Sequence, residues 1–463
     1  MKTIAIAIAV TFAAMAVTTM AAKTKSFSVL SRPIKLKYGE VHNTIQEPIS
    51  LPWEIIAEFA TKPIAIKNYL VDIVYMEYGP GGPKEVKVPL YDGYNHHYGI
   101  GIGPAEMMKA YYELHKNDPY GGYELNTSHV PTMKRFMNDM KGLGGRRGKR
   151  AANFGGGSGA EERGTSHLLP SPYAHIVDRP EMLIPLIHLI NTKNDKYDGD
   201  YNPLLECPCT PQRTFDYNDT LIDGKSPIPP FSCNLKFEQE ENPSCFMDLY
   251  ESGFRCCEHG VFLVDTDKVD TDKLKETTFY FKFNFEYEDV VPGVTLPVRP
   301  PACCDVTANL TVGGNIEYDV PLCTEGTAPE DCVHEMASSM FFDLMPNYHS
   351  NKTESTADPK APVDLVYAVG HLHVGGLSLD LYDDATGDLI CHSEPTYGTT
   401  AAAGDEEGYL VGMSSCSFDP PLRMTKDTVV RTVARYNNTR EHHGVMALWL
   451  MEVSDPEPAA LAF

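Results

Sequence analysis

The chain has 463 residues, with 39 Lys and Arg against 63 Asp and Glu, for a formal net charge of −24 at pH 7. A polyanion needs a basic face to dock on, so this balance argues against nucleic acid as a partner. Hydrophobic residues make up 42 % of the chain, and its length is sufficient for two domains at roughly 100–200 residues each.

The chain opens MKTIAIAIAVTFAAMAVTTMAA. A lysine, an apolar run from Ile4 to Val17 and small residues at Ala21 and Ala22 make the layout of a secretory signal peptide over residues 1–22. The alternative, an uncleaved membrane anchor, is disfavoured because a spanning helix needs about 20 apolar residues. No later stretch is long and apolar enough to span, and the ending EPAALAF lacks the hydrophobic tail that precedes lipid anchoring. Export is the expectation, with a secreted or extracellular location. Sequons at Asn126, Asn218, Asn309, Asn351 and Asn437 agree with it as glycosylation sites.

The strongest periodicity is two. Val86, Val88 and Leu90 alternate with Lys87 and Pro89, and the pattern predicts a strand that ends near Tyr91. Directly after it comes Tyr94-Asn95-His96-His97-Tyr98-Gly99. A regular strand throws neighbours to opposite faces, so His96 and His97 share one ion only where the chain bends or bulges, which Gly93, Gly99 and Gly101 permit. Two short helices are expected next, Pro104–Leu114 and Pro131–Met140, each with Pro at its start. The run Gly142–Gly159 is rich in glycine and reads as a mobile basic surface loop, either cut after Arg150 by a secretory protease or never cut. His188 lies within the apolar run MLIPLIHLINT, where a satisfied core histidine is the competing reading.

All twelve cysteines follow residue 200, and an even number in an exported chain reads as disulfides. Cys207, Cys209, Cys233, Cys245, Cys256 and Cys257 crowd one segment, where a four-thiolate zinc site is the minor alternative and spacing does not settle the pairing. Cys303, Cys304, Cys323 and Cys332 form a second group, and Cys391 and Cys416 are expected to bond each other. Between these groups Phe279, Phe281, Phe283, Phe285 and Tyr287 alternate with polar residues, as do Leu377, Leu379 and Leu381 ahead of a turn at Asp384–Gly387. Many short strands separated by Gly, Pro, Asn and Asp indicate β-sandwiches.

Of sixteen histidines, His371 and His373 in GHLHVGG are two apart, so on a strand both imidazoles face one side and converge on one ion. Met446 in HHGVMALWLMEV has core packing as its default reading, yet a thioether beside imidazoles suits copper, Cu(I) above all, better than zinc or calcium. His442, four residues earlier on the same face, is either a further ligand or a group behind the ligands. No cysteine is patterned for the thiolate of a blue-copper centre.

These pieces in this order resemble a known family. The runs VYAVGHLHVGG, LICHSEPTYG, EEGYLVGMSSC and RYNNTREHHGVMALWLMEV, with NHHYG, NFGGGSGAEERGTSHLLPSPY, MLIPLIHLIN and ECPCT upstream, resemble the stress up-regulated nodulin (SURNod) family of secreted proteins. The likeness covers most of the mature chain and is most specific from Val366 to Val453. That family is similar to the ascorbate-dependent type II copper monooxygenases, the group of peptidylglycine hydroxylase and dopamine β-monooxygenase. The resemblance implies an all-β protein of two tandem jelly-roll-like β-sandwiches. His96, His97 and His188 would hold a first copper that stores and passes an electron. His371, His373 and Met446 would hold a second that meets O2 and substrate, with ascorbate as reductant.

Two departures limit the carry-over. Leu448 and Leu450 are apolar where the amidating enzymes place polar substrate contacts, so peptide amidation is not implied and the substrate stays an unassigned small molecule or extracellular group. Residues 104–160 read as an insertion without counterpart. The expected organisation is a first sandwich over 23–305, carrying that insertion and the Cys-rich segment 207–257, and a second over 306–458. Three functions compete: a secreted copper monooxygenase, an extracellular copper-binding or stress-response protein without turnover, and a structural cell-surface glycoprotein.

Overall fold

The computed structural model describes residues 24–116, 150–193, 259–260, 262–264, 269–301, 303–306, 317–344 and 358–456, with the two-residue strands Leu221–Ile222 and Ser226–Pro227. The signal segment, the helix expected at Pro131–Met140, the six cysteines from Cys207 to Cys257, and Asn126, Asn218, Asn309 and Asn351 lie outside these residues.

The first half contributes β1 (Lys25–Leu30), β2 (Ile34–Leu36), β3 (Val41–Ile45), β4 (Ile49–Ser50), β5 (Pro63–Gly79), β6 (Gly82–Lys87), β7 (Gly93–Gly103), β8 (Ala152–Ser158), β9 (Tyr173–Asp178) and β10 (Met182–Asn191). The pair β11 (Leu221–Ile222) and β12 (Ser226–Pro227) follows, then β13 (Thr277–Asp289) and β14 (Leu296–Pro297). One sheet runs β1-β13-β5-β9-β14, with β2 on β13 and β6 on β5; the other runs β3-β10-β7-β8, with β4 on β10. β13 lies between β1 and β5, and its alternation is what the sequence dictates: Phe279, Phe281, Phe283 and Phe285 are buried to 1 % exposure or less. They meet Tyr98, Ile100, Phe154, Ile187 and Leu189 from the facing sheet in one apolar core.

The second half contributes β15 (Glu317–Val320), β16 (Val333–Phe341), β17 (Pro362–Leu372), β18 (Gly376–Asp383), β19 (Leu389–Ser393), β20 (Pro395–Tyr397), β21 (Leu410–Met413), β22 (Ser415–Thr425), β23 (Val429–Asn437) and β24 (His442–Ser454). Sheets β15-β24-β17-β22 and β16-β23-β18-β19 close over a core of Leu372, Leu379, Leu381, Ala434, Tyr436 and Trp449. Cys391 on β19 and Cys416 on β22 are bonded, as expected, and tie one sheet of this sandwich to the other. Cys303–Cys304 and Cys323–Cys332 are also bonded. Among the described residues no helix is long and apolar enough to cross a membrane.

Two expectations need adjustment and one is met. The helix α2 (Ala105–His115; α1 is Trp53–Glu58) matches the expected one, with Pro104 as its N-cap. The glycine-rich run is not a free loop from end to end. Residues 152–158 form β8 on the edge of the β7 sheet, and Arg150 pairs with Asp178 at 2.9 Å. Leu377 is 41 % exposed although Leu379 and Leu381 are buried, because the register of β18 on β23 slips between Gly376 and Ser378. The slip turns Leu377 outward. Asp380, between Leu379 and Leu381, is buried against Arg435 and His392.

Polar groups join the sandwiches. The Tyr367 hydroxyl donates to the Ser166 carbonyl at 2.7 Å, and Arg163 reaches both Asp72 at 2.7 Å and Glu406 at 2.8 Å. His175 of β9 meets Glu452 of β24 at 3.3 Å. Burial lowers His175 to about 3 and raises Glu452 to about 8, so both are neutral near pH 7 and the contact is not an ion pair. From pH 4.5 to 8 the folded chain keeps a Glu452 proton that the unfolded chain releases, so this carboxyl's contribution to stability falls as pH rises. From pH 6.5 down to 3 the unfolded chain protonates and folded His175 does not, so stability falls as pH drops. The two slopes offset each other where the windows overlap. Thermal unfolding followed by circular dichroism should therefore show a loss from pH 6.5 to 8, and Glu452→Gln should flatten that limb. An unaltered alkaline slope in the variant would reject this origin.

Candidate metal centre

On β7 and β10 the cross-strand partners are Tyr98–Ile187 and His97–His188, then Asn95–Leu189. His96 is therefore the extra residue of a β-bulge. The bulge resolves the problem posed by adjacent histidines: it turns His96 toward the face that His97 and His188 already share. The ring centroids of His96, His97 and His188 are 4.3–5.1 Å apart, and one ligand atom from each lies within 4.8 Å of the others. All three are buried, at 3 %, 2 % and 0 % exposure.

β10 is apolar on both faces, which explains its uninterrupted hydrophobic run. Leu183, Ile187 and Leu189 face the sandwich core, whereas Ile184 and Leu186 pack under Met107, Met108 and Tyr111 of α2. His188 continues that outer face beyond the helix. β8 then closes the edge, and its glycines allow the approach. Gly155 has φ +75°, and a Cβ there would sit 2.6 Å from the Tyr98 carbonyl oxygen; one on Gly159 would sit 2.8 Å from that of His96.

In β17, Gly370 and Leu372 point inward, Gly370 lying against Ser393 and Leu379, and His371 points outward. His371 and His373 are buried, with ring centroids 5.2 Å apart. His371 stands opposite Leu448 of β24, so Met446, Leu448 and Leu450 share its sheet face, while Val445, Ala447 and Trp449 face the core. Met446 is 1 % exposed and outside the sandwich core. The Tyr436 hydroxyl links these strands: it accepts from the His373 amide at 2.8 Å and donates to the Met446 carbonyl at 2.6 Å. His442 plays a different part. Its Nε2 donates to the Asn437 carbonyl at 2.8 Å, and its ring fills the space left by Gly375, where φ is +96° and a Cβ would lie 2.4 Å from the ring. It braces the turn after His373.

The two histidine groups meet where the sandwiches face each other, with His96 and His373 centroids 6.4 Å apart. The cavity there is lined by Tyr94, His96, Glu161, His371, Leu372, His373, Val374, Tyr409 and Leu410. Burial and the nearby Glu161 push the Tyr94 phenol well above its ordinary value, so it is a neutral wall. Glu161 was not singled out by the sequence. It lies in the short turn Ala160–Gly164, and its Oε1 is 2.5 Å from His371 Nδ1. The Nε2 of His371 is buried with no hydrogen-bond partner among the described residues. A buried imidazole held at one nitrogen by a carboxylate and open at the other has the form of a metal ligand. The donor set of imidazoles with a thioether on the same face fits copper.

A family model described as Stress up-regulated Nod 19 matches residues 231–456, a stretch that holds His371, His373 and Met446 and leaves His96, His97 and His188 upstream. No curated protein matches the sequence. Among solved structures, the infectious bursal disease virus VP2 subviral particle is similar at 8 % identity and TM-score 0.15, over 94 % of this chain and 72 % of that one. The infectious bursal disease virus Gx strain structure is similar at 9 % and 0.09, over 93 % and 80 %. At such scores neither likeness carries an argument.

Gly155→Ala tests how β8 holds the bulged strand. The added methyl is strained at positive φ and meets backbone, so unfolding in urea should show a loss of about 1–3 kcal/mol. Gly79→Ala, which meets nothing within 4 Å, is the control and should change little. Equal stability of the two variants would show that β8 is not pinned there.

Proposed function

We propose, given the match of residues 231–456 to the Stress up-regulated Nod 19 family model, that this is an exported protein with two copper sites acting as an ascorbate-dependent monooxygenase. The observation that carries the reading is the convergence of His96, His97 and His188, far apart in sequence, on one buried point beside His371 and His373. Export rests on the signal-like residues 1–22 and the sequons, of which Asn437 alone lies within the described residues.

Copper at these positions would supply one-electron chemistry and activate O2, with one oxygen atom entering a substrate C–H bond and the other reduced to water by two electrons and two protons from ascorbate. His96, His97 and His188 would hold one ion and His371, His373 and Met446 the other. The chain's own contribution is positional. Glu161 fixes the His371 ring, Tyr436 holds the His373 and Met446 backbones together, and Leu448 and Leu450 keep water from the face beside His371.

A copper-binding role without turnover is the second reading. The apolar Leu448 and Leu450 favour it, since neither can grip a polar substrate. Metal analysis of the secreted chain should find two coppers, falling to one in His188→Ala; none in the wild type would leave a structural glycoprotein. Oxygen uptake driven by ascorbate should be present and lost in His371→Ala. Copper without uptake would favour the second reading, and uptake unchanged by His371→Ala would remove the assignment of the oxygen site.

A further inference from the structure

We infer that Glu161 is a positioning residue that couples the two histidine groups, so that the second is set only when the first sandwich is docked against it. This rests on the copper reading and adds to it a residue that reaches from one sandwich to the ligand of the other. Glu161 is 3 % exposed. Both carboxylate oxygens lie 3.2 Å from the Gly159 N–H, which donates to them, and Oε1 accepts from His371 Nδ1 at 2.5 Å. The Gly159 carbonyl accepts from the Asn95 side-chain amide at 2.8 Å, and Asn95 is the residue before the bulged His96. A continuous line of hydrogen bonds and backbone therefore runs from His371 through Glu161, Gly159 and Asn95 to His96.

The turn that carries Glu161 has little freedom to move. The Thr165 hydroxyl donates to the Glu161 carbonyl at 2.8 Å and accepts from the Met413 N–H at 3.0 Å. Arg163 binds Asp72 and Glu406 across the interface and also the Val88 carbonyl at 2.6 Å. A Cβ on Gly164 would lie 2.3 Å from the Val411 carbonyl oxygen, so only glycine lets the turn seat on β21. Glu161 is thus delivered to His371 by a turn locked to both sandwiches. A carboxylate accepting from Nδ1–H fixes the tautomer that leaves Nε2 as the donor atom and raises its basicity.

The test uses the full secreted chain, with copper affinity measured by chelator competition and Cu(II) electron paramagnetic resonance as a second readout. In Glu161→Ala one of the two coppers should bind about 10–100-fold more weakly while the other is unaffected. Glu161→Gln keeps an acceptor of the same shape without the charge. It should recover part of the affinity and still alter the spectrum of the copper held by His371. On a His371→Ala background, Glu161→Gln should have no effect on the remaining copper. A wild type with two coppers whose affinities and spectra are unchanged in Glu161→Gln would overturn the inference and leave the copper reading standing. A wild type without copper would overturn both.

Discussion

A single extra residue in β7 decides where the imidazoles of the first sandwich point. With regular pairing, His96 and His97 lie on opposite faces, and one of them is driven into a core already filled by Tyr98, Phe281 and Phe283. Burying an imidazole there without a partner would cost on the order of a few kcal/mol. The bulge between His188 and Leu189 instead puts three imidazoles on the outer face, in the region where the second sandwich covers the first. That face is closed by α2 at one end and by the Ala160–Gly164 turn near the other. The site exists because both faces of this sheet are buried, one by its own core and the other by neighbouring elements.

The second sandwich obeys the same logic through a different device. β24 alternates without interruption from Val445 to Val453, so its two faces are cleanly divided. Met446 and Leu448 are buried without belonging to the sandwich core, and two strands of one sheet present His371 and Met446 on one face. A histidine pair two apart needs no bulge, and the alternation of β17 is sufficient to aim His371 outward.

These differences explain what was legible in the sequence. β13 could be read because one of its faces is apolar at every second position. Candidate ligands could be named by residue type and order. The bulge could not be read: Gly93, Gly99 and Gly101 permit a bend near His96, but the slip is fixed by pairing with β10, ninety residues away in sequence. The glycine-rich run misleads for a related reason. Glycine often marks a chain that does not pack, yet at Gly155 in β8 and Gly159 just after it the chain lies closer to the β7 backbone than a side chain allows. Glu161 was invisible because its partner His371 is 210 positions away, and no local pattern distinguishes a glutamate that meets a histidine from one that meets water.

The cavity walls bear on what the site accepts. Tyr94, Tyr409, Leu410, Leu372 and Val374 offer aromatic and aliphatic surface, and burial raises the pKa of both phenols and keeps them neutral. The ionisable groups on this wall are Glu161 and the imidazoles, and Arg163, the guanidinium of the same turn, is spent on Asp72 and Glu406. With a net charge of −24 on the whole chain, the long-range field also repels anions. A free carboxylate would therefore meet no Lys or Arg among the described lining residues.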